Sequence, residues 1–123
     1  MEFISAEEFK KQPMEVQQVI LNWWKPAKWD LFVNDSIGRF GIVVGEKKFK
    51  NRLIPLLTEG QLRKFIEDKT GQIVNLDYIC KECGYAVVLT EGGKRSKPFI
   101  DLGEDVLQAY WKVAIEIAKR EAR

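Results

Sequence analysis

Histidine is missing from this 123-residue chain, which removes the commonest general base, the commonest catalytic metal ligand and the usual partner of a nucleophilic serine or cysteine. An excess of one charge is missing too. Twenty Lys and Arg stand against eighteen Asp and Glu, a formal charge of +2. That balance argues against a polyacidic mimic of DNA and against a strongly basic nucleic-acid coat protein, since both need a large field of one sign. No stretch approaches the roughly 20 apolar residues of a membrane span. Met1 to Lys11 is charged and has no apolar run before a small-residue cleavage site, so it does not read as a signal peptide. These absences lead us to expect a cytoplasmic protein with its two cysteines, Cys80 and Cys83, reduced and with no membrane partner.

What is present fits one folded domain over residues 1–123. The apolar fraction is 46% and the charged fraction 31%, the composition of a globular domain and not of a disordered tail. A chain of this length buries enough surface to need no cofactor for stability. Ser5 with Glu8 and Thr58 with Gln61 have capping-box spacing and predict helix starts. The first helix runs to about Lys11; a second opens at Pro13, carries Val16, Val19, Ile20 and Trp23 on one face and is bounded by Pro26. The Thr58 helix turns Leu62, Phe65 and Ile66 inward and stops at Gly71. Asp101 with Glu104 predicts a last helix from about Glu104 to the end, with Gln108, Lys112, Glu116, Lys119 and Arg120 as a narrow polar stripe.

Between these helices lie two hairpins. Trp29 to Val33 and Arg39 to Gly45 form the first, with Phe40, Ile42 and Val44 pointing one way. Leu53 to Leu57 approaches the core as an edge or linker around Pro55. The second hairpin pairs a strand carrying Val74, Leu76 and Tyr78 with one carrying Tyr85, Val87 and Leu89. A loop from Gly92 to Lys97 follows, and Pro98 to Leu102 adds a short strand. The order ααββαββα predicts an α+β domain: a mainly antiparallel sheet of two hairpins, four to five strands, with helices on one face.

Few features carry chemistry. Cys80-Lys81-Glu82-Cys83-Gly84 presents two thiols at the spacing of half a tetrahedral zinc site. With no other cysteine and no histidine, zinc is expected only if a two-fold dimer shares four thiolates; otherwise no cofactor is expected. The plainer reading is a tight hairpin in which Gly84 supplies a positive φ. A dithiol redox role is weaker, because such a pair should open a helix and this one joins two strands. Trp23, Trp24 and Trp29 lie within seven residues, interleaved with Lys25 and Lys28. Helical phase puts Trp23 in the core and strand phase puts Trp29 there. Trp24 falls off the inward face and is the partner-binding candidate, with Trp29 beside it if exposed. Two basic loops, Lys47, Lys48, Lys50 and Arg52, and Lys94, Arg95 and Lys97, would offer seven cations to phosphates if the fold brought them to one edge. Gly92-Gly93-Lys94 lacks the spacing of a phosphate loop. The acids Asp101, Glu104 and Asp105 fall at a helix start, where the macrodipole favours them for structural reasons. No nucleophile is paired with a base, so catalysis is not expected.

Three stretches carry a resemblance: EVQQVILNWWKP from Glu15 to Pro26, followed by Asp30-Leu31-Phe32; PLLTEGQLRKFIEDKTG from Pro55 to Gly71; and LGEDVLQAYWKVAIEIAK from Leu102 to Lys119. Together they resemble small proteins encoded by phages and prophages of Gram-positive bacteria. The likeness spans most of the chain and rests on helices and strands, so it implies a genetic setting and not an activity. In that setting the leading expectation is a non-enzymatic accessory protein that occupies the surface of a host protein, such as an inhibitor of a bacterial defence system of the anti-CRISPR kind. A nucleic-acid-binding phage protein using the basic loops and a zinc-linked dimer through Cys80 and Cys83 are the alternatives.

Overall fold

Thr58 begins the most completely capped helix of the chain. Its hydroxyl accepts from the Gln61 N–H at 3.4 Å while the Gln61 side chain accepts from the Thr58 N–H at 2.9 Å, so two amides of the open helix end are satisfied at once. This helix, α3 (Glu59–Thr70), ends on Gly71 with φ 68. Around it a computed structural model, describing residues 2–27, 29–35, 38–43 and 53–122, sets the remaining elements. They are α1 (Ala6–Lys10), α2 (Met14–Trp23), β1 (Leu31–Asn34), β2 (Arg39–Ile42), β3 (Leu53–Pro55), β4 (Ile73–Cys80), β5 (Gly84–Glu91), β6 (Lys94–Arg95) and α4 (Val106–Ala122). The class is α+β.

The strands differ from the single sheet expected. They form two antiparallel three-stranded sheets among the described residues, ordered β2-β1-β3 and β4-β5-β6. Each hairpin takes its third strand from its own neighbourhood. The Leu53–Pro55 segment pairs with β1, and Lys94–Arg95, expected as part of a loop, pairs with β5. Pro98 to Leu102 is no strand; it runs beside β5 through single bridges, Val87 with Phe99 and Gly84 with Gly103.

The main core gathers around α4. Val113, Ala114, Ile117 and Ala118 are buried, and the helix packs on α2, α3 and β5. Alanine on the buried stripe lets those neighbours approach closely. The exposed stripe is the expected one, with Lys112, Glu116, Lys119 and Arg120 exposed and Gln108 half-buried. The cap is not. Asp105, not Asp101, accepts from the Gln108 N–H at 2.9 Å, and α4 starts at Val106. Asp101 instead has a left-handed backbone, φ 59, in the segment leading to the helix. A second, smaller core of Trp24, Phe32, Val43 and Leu53 lies under the first sheet.

Candidate partner-binding site

α2 ends at Trp23 because the next residues cannot continue it: Trp24 takes an extended backbone, ψ 116, two residues before Pro26. Leaving the helix turns the Trp24 side chain underneath the first sheet. It is 2% exposed, packed in the small core, and its indole N–H donates to Asp30 Oδ2 at 3.2 Å. The Ala27 amide donates to the same oxygen at 2.9 Å, so Asp30 ties the corner shut. Trp24 is therefore a core residue, contrary to its reading as a surface anchor. Helical phase placed it outward, but the helix has ended before it.

Trp29 takes the opposite course. Its φ of 79 breaks the strand that alternation predicted through it, β1 starts only at Leu31, and the Trp29 side chain is 66% exposed. Its amide donates to the Val43 carbonyl at 2.6 Å, fixing this residue against the second strand of the hairpin.

That second strand adds two side chains sequence reasoning did not select. Phe40 is 73% exposed and Ile42 50%. In register, Phe32 faces Gly41, and a Cβ on Gly41 would overlap the Phe32 ring. The inward side is thus Gly41 of β2 and then buried Val43 just past its end, and the alternation sends Phe40 and Ile42 outward. The signal in the sequence is Gly41 between two large apolar residues, opposite a phenylalanine. The Phe3 ring meets Phe40 edge-on at 6.5 Å. β2 is also one of the two outer strands of its sheet among the described residues.

Beside the corner lies a cleft of about 330 Å³ walled by Trp23, Trp24, Lys25, Gln61, Lys64 and Asp68. Trp23 is half-buried, edge-on to Phe65 at 5.2 Å, and donates to Asp68 Oδ2 at 2.8 Å; Lys64 reaches the same oxygen at 3.3 Å. The indole N–H, opposed by burial and helped by Lys64, holds the Asp68 carboxyl below the usual carboxylate value. The cleft keeps a carboxylate ionised beside an aromatic wall.

Lys94, Arg95, Lys97, Cys80 and Cys83 belong to the β4-β5-β6 sheet and its connections, apart from this hairpin. Lys94, Arg95 and Lys97 are exposed on and after β6, with Arg95 3.7 Å from Asp77. Lys47, Lys48, Lys50 and Arg52 lie outside the described residues, so the expected seven-cation patch is described only in its second half. At the tip of β4–β5 the Cys83 N–H donates to the Cys80 carbonyl at 3.1 Å, and Gly84 has φ 72. The turn brings the two Cα atoms to 5.1 Å, within disulfide range, and the sulfurs are joined. The pair is bonded here where reduced thiols were expected, and zinc ligation by Cys80 and Cys83 would require that bond to be reduced first. Among the described residues no group of three or more His, Cys, Asp or Glu is placed to hold a metal, and no helix is long and apolar enough to cross a membrane. No family model matches the chain, and neither a curated protein nor a solved structure matches it.

Proposed function

We propose that this protein acts by binding and not by catalysis, as a phage- or prophage-encoded accessory protein that occupies the surface of a host protein in the cytoplasm. An inhibitor of a bacterial defence system, such as an anti-CRISPR, is one form such a protein takes. The observation that carries the reading is the exposure of Trp29, Phe40 and Ile42 on one hairpin. Large apolar side chains at the surface cost solvation unless covered, and aromatic residues dominate the energy of protein interfaces.

The test uses the intact chain and the double variant Trp29→Ala/Phe40→Ser. Both side chains are on the surface, so the variant should melt within about 1 kcal/mol of the parent. The parent is expected to form a stoichiometric complex with a protein of the host lysate, stable through gel filtration, and the variant to lose it. Recovery of the same complex by both chains would overturn the assignment of the hairpin.

Nucleic-acid binding through Lys94, Arg95 and Lys97 has their exposure in its favour. It predicts affinity for duplex or single-stranded DNA that falls steeply between low and moderate salt. Binding with no salt dependence would remove it.

A further inference from the structure

The tip of β4–β5 holds both cysteines in a frame that does not depend on the bond between them. The strands pair from Ile73 with Thr90 to Tyr78 with Tyr85 and, after a register shift, again at Cys80 with Gly84. The Cys83 N–H donates to the Cys80 carbonyl at 3.1 Å and closes the turn. The Tyr85 N–H, donating to the Gly103 carbonyl at 2.8 Å, ties the start of β5 to the segment before α4. None of these contacts uses a sulfur, and they hold the Cα atoms of Cys80 and Cys83 5.1 Å apart, inside the span a disulfide needs. The bond can open and close without rebuilding the hairpin.

The two sulfurs are not equivalent. Cys83 is exposed and Cys80 half-buried. Besides closing the turn, the Cys83 N–H donates to Cys80 Sγ at 3.1 Å, while among the described residues no hydrogen bond reaches Cys83 Sγ. A backbone N–H aimed at a sulfur favours its thiolate, which is what a helix start does for the reactive pairs that open a helix. The hairpin thus supplies the donor whose absence made a redox role the weaker expectation. In thiol–disulfide exchange the sulfur that leaves most readily is the one with the better stabilised thiolate, and the sulfur attacked is the one an incoming thiolate can reach. Both conditions name one direction: attack at Cys83 and departure of Cys80.

We propose that Cys80–Cys83 is an exchanging disulfide, through which this chain takes two electrons from thiols. The incoming thiolate bonds to Cys83 Sγ, the bond between the two cysteine sulfurs breaks, and its electron pair leaves on Cys80, which takes up a proton. A second thiolate then attacks the sulfur of the bound group and releases Cys83, which is protonated in turn. The two thiols end joined as a disulfide, and the chain holds the two electrons and two protons they lost. Each oxidised chain does this once, without turnover, and the same steps run backwards against a disulfide restore it. The tip belongs to the other sheet from the Trp29 hairpin, so this assignment and the proposed function stand or fall separately.

Trapping the intermediate tests it. The oxidised full chain is mixed at about pH 7 with glutathione, a small thiol, or with reduced ribonuclease A, a protein carrying thiols, then quenched in acid and mapped by mass spectrometry. The mixed disulfide is expected on Cys83 at least about fivefold over Cys80. With glutathione it should form at least about fivefold faster than on the oxidised, end-capped peptide of residues 79–85, which has the same ring and no hairpin. Reaction with either thiol source supports the exchange, and reaction with only one names the source. In the reduced full chain the amides of β4 and β5 should keep their protection from deuterium exchange. The proposal is overturned by a bond that does not form in the folded chain, by adducts shared equally between the two cysteines, by no gain over the peptide, or by loss of that protection on reduction.

Discussion

Gly84 stands where β5 touches the segment before α4. Its φ is 72, and a Cβ added there would overlap the Gly103 carbonyl, whose oxygen accepts from the Tyr85 N–H at 2.8 Å. Both the left-handed backbone and the close approach demand glycine. Gly84→Ala is therefore expected to lower the stability by about 2–3 kcal/mol in urea unfolding, a large effect for adding one methyl group. Gly92, also at positive φ but with open space around it, should lose less on the same change. Asp68 gives a pH signature. Its folded carboxyl titrates below the usual value, so its contribution to stability is complete above that value and is lost as pH falls through the folded one. Melting curves taken at pH 7 and at about pH 3 should show a smaller acid loss in Asp68→Asn than in the parent. The size is modest, since the Asp68 side chain is 43% exposed. At this scale the sequence was readable where a residue acts locally, as at Gly71 and Gly84. It was misread where one backbone angle decides the direction of a side chain: Trp24 and Trp29 exchange core and surface because a helix stops two residues early and a strand starts two residues late.

Among the elements, the helices were legible and the sheet partners were not. The Thr58–Gln61 spacing names a local geometry, and both of its hydrogen bonds form; Thr58→Ala should cost about 1 kcal/mol. The Asp101–Glu104 spacing names the same geometry, but the chain turns left-handed at Asp101 and the cap moves to Asp105. Strand pairing depends on distant segments, and β3 and β6 are only three and two residues long, too short to show alternation. The disulfide at the β4–β5 tip is an element-scale feature as well. It closes a loop of four residues, and the chain-entropy account assigns such a loop about 2 kcal/mol. Adding dithiothreitol should lower the unfolding midpoint of the parent and leave Cys80→Ser/Cys83→Ser unmoved; equal responses would show that the bond does not form in solution.

Across the whole molecule, two cores of unequal size share one chain. The larger joins all four helices to β5, while the smaller rests on Trp24, Phe32, Val43 and Leu53. Few buried apolar contacts mean low local stability. Amides of β1 and β2 should exchange with deuterium faster than those of β4, β5 and α4, and Phe32→Ala should speed the first group without equally speeding the second. The proposed partner surface lies on the looser unit, so binding at the hairpin should slow exchange in β1 and β2 first.

The four tryptophans also give the molecule built-in optical reporters. Trp24 sits in one core and Trp111 in the other, Trp23 is half-covered beside a carboxylate, and Trp29 faces water. Aqueous iodide should dim the Trp29 emission selectively. Chains keeping one indole each, with phenylalanine at the other three positions, would let fluorescence follow the loosening of either core, or the covering of the hairpin surface, without an attached dye.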